Sequence, residues 1–381
     1  MSGADLIYLD NNATTRIDPA VLEVMQEVYE LAFANPGSRH TPGRKARQIL
    51  EDSREQIATL VGAHPSELIF TSGGTESINL AMQGLAWSTP GTILSLPGEH
   101  PATRASIEKM KEQGWKSAEY PIDPQGLIIP DRLSELEWNQ ARLATLLWVH
   151  NETGVIQNLE SIEQLCEENR LPLHIDAVQA VGKIPVNFRE MRVTALSFTA
   201  HKFHGPRGIG ALLLKSGCQV KPLLVGGFQE SERRAGTEPV SLIAGMAKAL
   251  QLWEDQRAER TQHLLTLQTE FETGLIQELP NVLINSAGAN RSPFTSNIAF
   301  PGLDGEALLI SLDLAGIACS TGSACASGSA EPSPILVGMG LAPEVYHGSL
   351  RFSFSAQNRL DEIKTAVQRI AEIVKSHSDF E

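Results

Sequence analysis

Cysteine is scarce in this sequence: four thiols, Cys166, Cys218, Cys319 and Cys325, are spread over 381 residues. That is too few and too scattered for a disulfide scaffold, and no pair has the CxxC spacing of a zinc site. No metal centre is therefore expected, and each thiol is read alone. Long hydrophobic runs are also missing. Although 42% of the residues are hydrophobic, no stretch approaches the ~20 apolar residues that a membrane helix needs. Basic residues are outnumbered, 31 Lys and Arg against 45 Asp and Glu, for a formal net charge of −14. Nucleic acid and acidic membranes both demand a basic surface, so neither is an expected partner. The opening "MSGADLIYLD" lacks a basic segment followed by an apolar stretch and a cleavage site, which makes the cytoplasm the expected location. There is no internal repeat and one biased stretch, "STGSACASGSAEPSP", whose Gly, Ser and Pro content marks a loop.

What is present reads as two domains of α/β character. "DPAVLEVMQEVY" begins with Asp18 as a cap and Pro19 in the first turn and repeats Leu22, Met25 and Tyr29 at helical spacing. "GRKARQILEDSREQIATLVG" does the same through Ala46, Ile49, Ile57 and Leu60 and stops at Gly62. Between such helices lie the apolar runs "ELIFTSG", "GTILSLP", "RLATLLWVH", "LPLHIDAV", "VTALSFTA" and "IGALLLK". Runs of this kind predict a mostly parallel sheet covered on both faces. From Val240 to about Leu279 the helical pattern is too long for one ordinary helix and reads as a connector. The strand-like "NVLINS", "TSNIAFPG" and "SLRFSFS", the helical "DGEALLISLDLAG" and a last amphipathic helix through Ile363, Val367, Ile370 and Val374 form a smaller α+β unit.

Polar residues just beyond the apolar runs are candidates as a set, because ligands bind past the carboxyl ends of strands in open α/β sheets. "ELIFTSGGTESINLAM" is a strand, a Ser-Gly-Gly-Thr turn and a helix start. It reads either as an ordinary capped helix or as a phosphate cradle with Gly74 and Thr75 at the positive end of the helix. Asp176 and Gln179 follow a buried strand; the carboxylate needs a cation or strong donors there, in a salt bridge or against a ligand. Asn151 in "WVHNETG" is a turn amide or a ligand group. In "SFTAHKFHGPRGIG" the cation Lys202 ends an apolar strand among Thr199, His201 and His204. Desolvated there, a lysine loses its proton more easily and becomes a nucleophilic amine able to form a Schiff base; in a solvated loop it would not. A phosphate cradle, a strand-end Asp for a pyridinium nitrogen, a Lys for an aldehyde and His100 of "GEHPA" for a ring face are together what pyridoxal phosphate requires of a protein. Cys325 sits in the Gly- and Ser-rich loop, a reactive thiol only if a cation reaches it in space and a free thiol otherwise. Cys166 and Cys319 read as packed, and Cys218 as a turn thiol.

Taken together, "YLDNNATT", "NPGSRHTPG", "FTSGGTES", "GEH", "HNETG", "HIDAVQAVG", "SFTAHKFHGPRGIG", "GGFQESERRAGT", "STGSACASGSAEPS" and "LRFSFS" resemble the cysteine desulfurases of the NifS/IscS kind. These belong to the class V aminotransferase branch of fold-type I pyridoxal-phosphate enzymes. The resemblance implies a large pyridoxal-phosphate domain over 15–256 with a mostly parallel seven-stranded sheet, and a small domain from 1–14 and 257–381. It implies pyridoxal 5'-phosphate tied to Lys202, Asp176 on the pyridinium nitrogen, Gln179 on the phenolic oxygen and His100 stacked on the ring. By the same likeness Gly74, Thr75, Thr199 and His201 hold the phosphate, with Thr237 supplied by the partner of a homodimer. Asn151 and Arg351 orient the carboxylate of the substrate, L-cysteine; an Arg fork matches both carboxylate oxygens. Lys202 carries the α-proton, and Cys325 takes the sulfur as a persulfide for acceptor proteins such as an iron–sulfur scaffold. Thr199 stands where the family commonly has Ser, and Pro334 where it often has His. The competing readings are a selenocysteine lyase or another class V enzyme and, from a different class, a non-catalytic carrier using Cys319 and Cys325. The carrier reading leaves Lys202 unexplained.

Overall fold

The computed structural model describes residues 6–86, 89–322 and 332–378, so Cys325 lies outside the described residues. Strand β1 (Ile7–Tyr8) is followed by helices α1 (Pro19–Leu31) and α2 (Thr41–Leu60). Then come β2 (Leu68–Thr71), α3 (Gly74–Leu85), β3 (Thr92–Ser95), α4 (Pro101–Lys111), β4 (Lys116–Glu119), β5 (Ala141–Leu147), α5 (Glu160–Glu168), β6 (Leu173–Asp176), β7 (Ala195–Thr199) and β8 (Gly210–Leu214). These strands form a seven-stranded sheet in the order β2-β8-β7-β6-β5-β3-β4. Only β8 runs against its neighbours; every other pairing in the sheet is parallel. Five of the strands, β2, β3, β6, β7 and β8, are buried throughout, as expected of continuous apolar runs covered on both faces.

The six runs read as strands are all strands, and the seventh, β4, had no apolar run to reveal it. Its sequence KSAE is half exposed at the sheet edge, where polar and charged residues blunt further pairing. The face assigned to α1 is corrected. Asp18 does cap the helix, accepting from the Ala20 N–H at 2.9 Å, but Leu22 and Tyr29 are 49% and 75% exposed, and Val21 and Val28 are buried instead. Helical spacing is satisfied by both sets, and packing against the helix over Val240–Asp255 decides between them.

The long helical stretch is two helices, α6 (Val240–Asp255) and α7 (Arg257–Glu278), broken at Gln256. The first packs on α1 and α2 and the second on α11 (Leu360–Ser378). Beyond α7, β9 (Leu283–Ile284), β10 (Thr295–Ala299) and β12 (Ser349–Ser353) make an antiparallel sheet in the order β12-β10-β9. Helix α8 (Gly305–Leu314) leads into β11 (Ile317–Ala318), which pairs in parallel with β1. The chain's first strand is thereby sewn to this part of the molecule, and a bridge from Asp10 to Ser353 extends the seam. Helix α9 (Pro334–Gly338) starts at Pro334, a residue suited to the first turn. Among the described residues no helix is long and apolar enough to cross a membrane.

Candidate active site

Parallel strands deliver their carboxyl ends to one edge of the sheet, and that edge collects the candidate residues. Strand β6 ends on Asp176, β7 on Thr199 followed by the short turn Ala200–Lys202, and β2 on the Ser72–Gly73 turn that opens α3. The segment after β3 places Glu99 and the α4 cap His100, and that after β5 places His150 and Asn151. Arg351 comes from β12, in the other sheet.

Asp176 is buried, and one oxygen accepts the Val178 N–H at 3.0 Å. Burial pushes its carboxyl up to about 6, against the pull of that N–H and of the Lys202 charge. Lys202 donates to the carbonyls of Asn12 at 2.5 Å and Ala13 at 2.8 Å. Burial, helped by Arg351, brings its amine down to about 8. Two imidazoles flank it. His100 accepts the Ala102 N–H at 3.1 Å through Nδ1, and His201 bonds Thr14 Oγ1 at 3.2 Å. Burial first and the Lys202 charge second bring both down to about 4, so both rings are neutral at physiological pH.

The turn before α3 is shaped for an anion. Gly73 holds the cap position at φ 159° and no side chain caps the helix, which leaves the first N–H groups of α3 and its positive end facing outward. A Cβ on Gly74 would lie 2.8 Å from Val178 Cγ2, so only glycine fits. Thr75 is exposed beside it. Thr199 lines the same turn, with its hydroxyl donating to the Ile209 carbonyl at 2.9 Å.

On the opposite side, buried Arg351 donates from Nη2 to Asp10 at 2.7 Å and from Nη1 to the Asn151 carbonyl at 3.2 Å. Among the described residues its Nε and the Asn151 Oδ1 are buried without partners. A carboxylate held by this arginine fork would give the free Nε–H an acceptor.

Lys202, Asp176, His100, His201 and Arg351 therefore share one charged neighbourhood, and Gln179 and Asn151 join it through Asn12. Gln179 donates to the Asn12 carbonyl at 3.0 Å, and the Asn12 amide donates to the Asn151 carbonyl at 3.1 Å and to Thr295 Oγ1 at 2.7 Å. Thr237 is not part of this constellation; it is exposed on the segment leading into α6. Cys319 is half-buried, and burial with the nearby Asp10 charge pushes its thiol up to about 12, as expected of a packed thiol rather than a nucleophile. Cys166 is buried and pushed up to about 12 by burial, and Cys218 is exposed. Sequence reasoning missed Asn12, Asp10 and Lys183. The first two lie within the quoted "YLDNNATT", and Lys183 follows "HIDAVQAVG" directly, but no spacing rule joins residues that meet only in three dimensions.

The model of the class-V aminotransferase family matches residues 7–365. A cysteine desulfurase of Enterobacter agglomerans is 40% identical over 371 residues, covering 97% of this chain and 92% of that protein. The cysteine desulfurase NifS of Azotobacter vinelandii is 36% identical over 375 residues, covering 97% and 92%. Among solved structures a NifS-like protein superposes with a TM-score of 0.91 at 32% identity, over 97% of this chain and all of that one. SspA in complex with cysteine superposes at 0.80 with 29% identity, over 92% and 99%. With this coverage the chain belongs to the class-V aminotransferase family.

Proposed function

We propose that this protein is a pyridoxal-phosphate-dependent cysteine desulfurase that converts L-cysteine to L-alanine and keeps the sulfur as a persulfide on Cys325. The observation that carries the reading is an amine brought down to about 8 within the field of a buried carboxyl group, the two delivered past the ends of adjacent strands beside an uncapped glycine-lined helix start. The residues fit the cofactor. Gly74, Thr75, Thr199 and His201 would hold its phosphate, Asp176 its ring nitrogen, Gln179 its phenolic oxygen, His100 its ring face and Lys202 its aldehyde carbon. When bound, the group supplies an electron sink for the bonds at the substrate α-carbon.

The chain's own residues do the rest. Arg351 Nε and Asn151 bind the substrate carboxylate and fix which α-bond faces Lys202. Released as a free amine, Lys202 Nζ takes the α-proton, a role its lowered basicity suits near neutral pH. The Cys325 thiolate attacks the substrate sulfur; a sulfur–sulfur bond forms, the substrate carbon–sulfur bond breaks, and the electron pair stays with the carbon fragment. That fragment leaves as alanine once protonated. In balance, cysteine and one enzyme thiol give alanine and one enzyme persulfide.

The same reading includes a cytoplasmic homodimer in which Thr237 serves the partner's phosphate site, and sulfur-acceptor proteins such as an iron–sulfur scaffold. The exposed apolar residues Val225 and Phe228, 79% and 85% accessible and a few residues before Thr237, support a covered surface there. Mass spectrometry after incubation with L-cysteine should find one extra sulfur on the Cys325 peptide. Cys325→Ser should keep the cofactor colour and lose alanine production; unchanged turnover in that variant would remove the persulfide step. Mixed dimers of Thr237→Ala and Lys202→Ala should regain activity at one site in two, and fail to do so if each subunit completes its own site.

A further inference from the structure

Lys183 lies behind the candidate site, four residues beyond Gln179, and is 4% exposed. Burying a lysine is costly unless a carboxylate faces it, yet its Nζ forms no ion pair among the described residues. It donates instead to two side-chain amide oxygens, Asn12 Oδ1 at 2.8 Å and Gln179 Oε1 at 2.5 Å. The Phe294 ring closes the remaining side, its centroid 5.0 Å from Nζ. A methionine would fill the same volume without the desolvation cost, so the amine is explained by its donors.

The donors settle a choice that packing leaves open. The oxygen and nitrogen ends of an amide have nearly the same size, and either could face inward. A charged lysine has only donors to offer these amides, so whatever meets its Nζ must be oxygen. With Oε1 held on Lys183, Gln179 is forced to turn Nε2 the other way; one N–H goes to the Asn12 carbonyl and one is left uncommitted. With Oδ1 held on the same amine, the Asn12 amide nitrogen bonds Asn151 and Thr295, on the side where Arg351 stands. Burial pushes Lys183 well below the ordinary lysine range, with the Lys202 and Arg351 charges acting in the same direction. A neutral amine keeps two N–H groups, one for each oxygen, so it can hold the same orientation, although only the charged amine excludes every alternative.

We propose that Lys183 is a positioning residue that locks the amides of Gln179 and Asn12, presenting the donor end of Gln179 to the phenolic oxygen of the cofactor. The inference rests on the pyridoxal-phosphate reading above and deepens it. A donor facing that oxygen stabilises its anion, so losing the donor raises the pH midpoint of the visible absorption change of the cofactor-loaded protein.

The test is a double-mutant cycle on that midpoint, with Lys183→Met, Gln179→Leu and the two combined, each reconstituted with pyridoxal phosphate. Lys183→Met should raise the midpoint by about one pH unit, the scale of a lost hydrogen bond to a charged group. Gln179→Leu should raise it equally, and the double variant no further. Lys183→Gln, one bond shorter and still a donor, should lie between wild type and Lys183→Met, and it carries the test if the methionine variant does not fold. An unmoved midpoint in a folded Lys183 variant overturns the proposal, as do shifts that add in the double variant. A wild-type protein that takes up no pyridoxal phosphate would instead sink the functional reading itself.

Discussion

Arg54 and Lys202 are both cations drawn out of water, one on α2 behind strand β2 and one just past the end of β7, and their surroundings treat them in opposite ways. Arg54 has every nitrogen matched. Its Nη2 meets Glu230 at 2.6 Å, Nη1 meets Glu230 at 3.1 Å and the Leu68 carbonyl at 2.9 Å, and Nε meets Glu51 at 3.0 Å. Glu230 in turn accepts the Phe70 N–H at 3.0 Å. Burial alone would lower the basicity of Arg54, but the Glu230 hydrogen bond and charge raise it, so the guanidinium stays ionised. Among the described residues Lys202 has two carbonyls and no direct carboxylate, and burial pulls it toward neutrality. A fully paired charge holds structure, here the turn Glu230–Ser231–Glu232, whose three φ angles of 49°, 56° and 66° are costly for residues with a Cβ. An underpaired charge stores reactivity.

The sharpest way to separate the two regions is to remove each cation. Lys202→Ala should lower turnover by at least ~10³-fold, the upper range for a lost proton carrier, without lowering the melting temperature of the cofactor-free protein. Its pH signature is equally specific. Between about 8 and 10.5 the unfolded chain keeps a proton that the folded chain has lost at Lys202, so stability rises with pH across that window. Denaturant titrations of Lys202→Met against wild type should show that rise missing from the variant. Arg54→Met should do the reverse and cost about 3–5 kcal/mol of stability, because Glu230 is left buried and unpaired. A variant melting as wild type does would mean that the ion pair holds nothing.

The same contrast explains what could be read in advance. Asp176 and Lys202 were legible because each ends an apolar run, and an ionisable group at such a place needs a reason that chain chemistry can name. The paired cation Arg54 sits inside an ordinary amphipathic helix, and its partner is 176 residues away, so nothing local announced it. Asn12 and Lys183 failed for the same reason, meeting across 171 residues. Leu22 and Tyr29 show the limit of periodicity, which finds a helix but leaves open which of two apolar stripes is buried. Strand β4 shows the limit of hydrophobic runs, since its KSAE is left half exposed and carries no apolar run to find. The Cys325 assignment rests on its motif, outside the described residues.

Glu99 gives the finest version of the comparison, because it is a carboxyl treated like Lys202 rather than like Glu230. It is 3% exposed; Oε1 accepts the N–H groups of Leu96 at 3.3 Å and Leu147 at 3.0 Å, and Oε2 has no partner among the described residues. Burial, with the Asp176 charge second, pushes it up to about 8, so the folded protein carries it protonated at neutral pH. The unfolded chain ionises it near 4.5. The sign follows: below 4.5 the group is neutral in both states and costs nothing, and from there to about 8 stability is lost as pH rises, because the unfolded chain has already released the proton. Glu99→Gln keeps an oxygen for both backbone donors and has no proton to release. The variant should match wild type at pH below 4.5 and exceed it by on the order of 2 kcal/mol at neutral pH, measured by denaturant unfolding of the cofactor-free protein. Equal stability at both pH values would mean that Glu99 is ionised in the folded state, and would place it with the paired charges of the scaffold instead of the underpaired ones around Lys202.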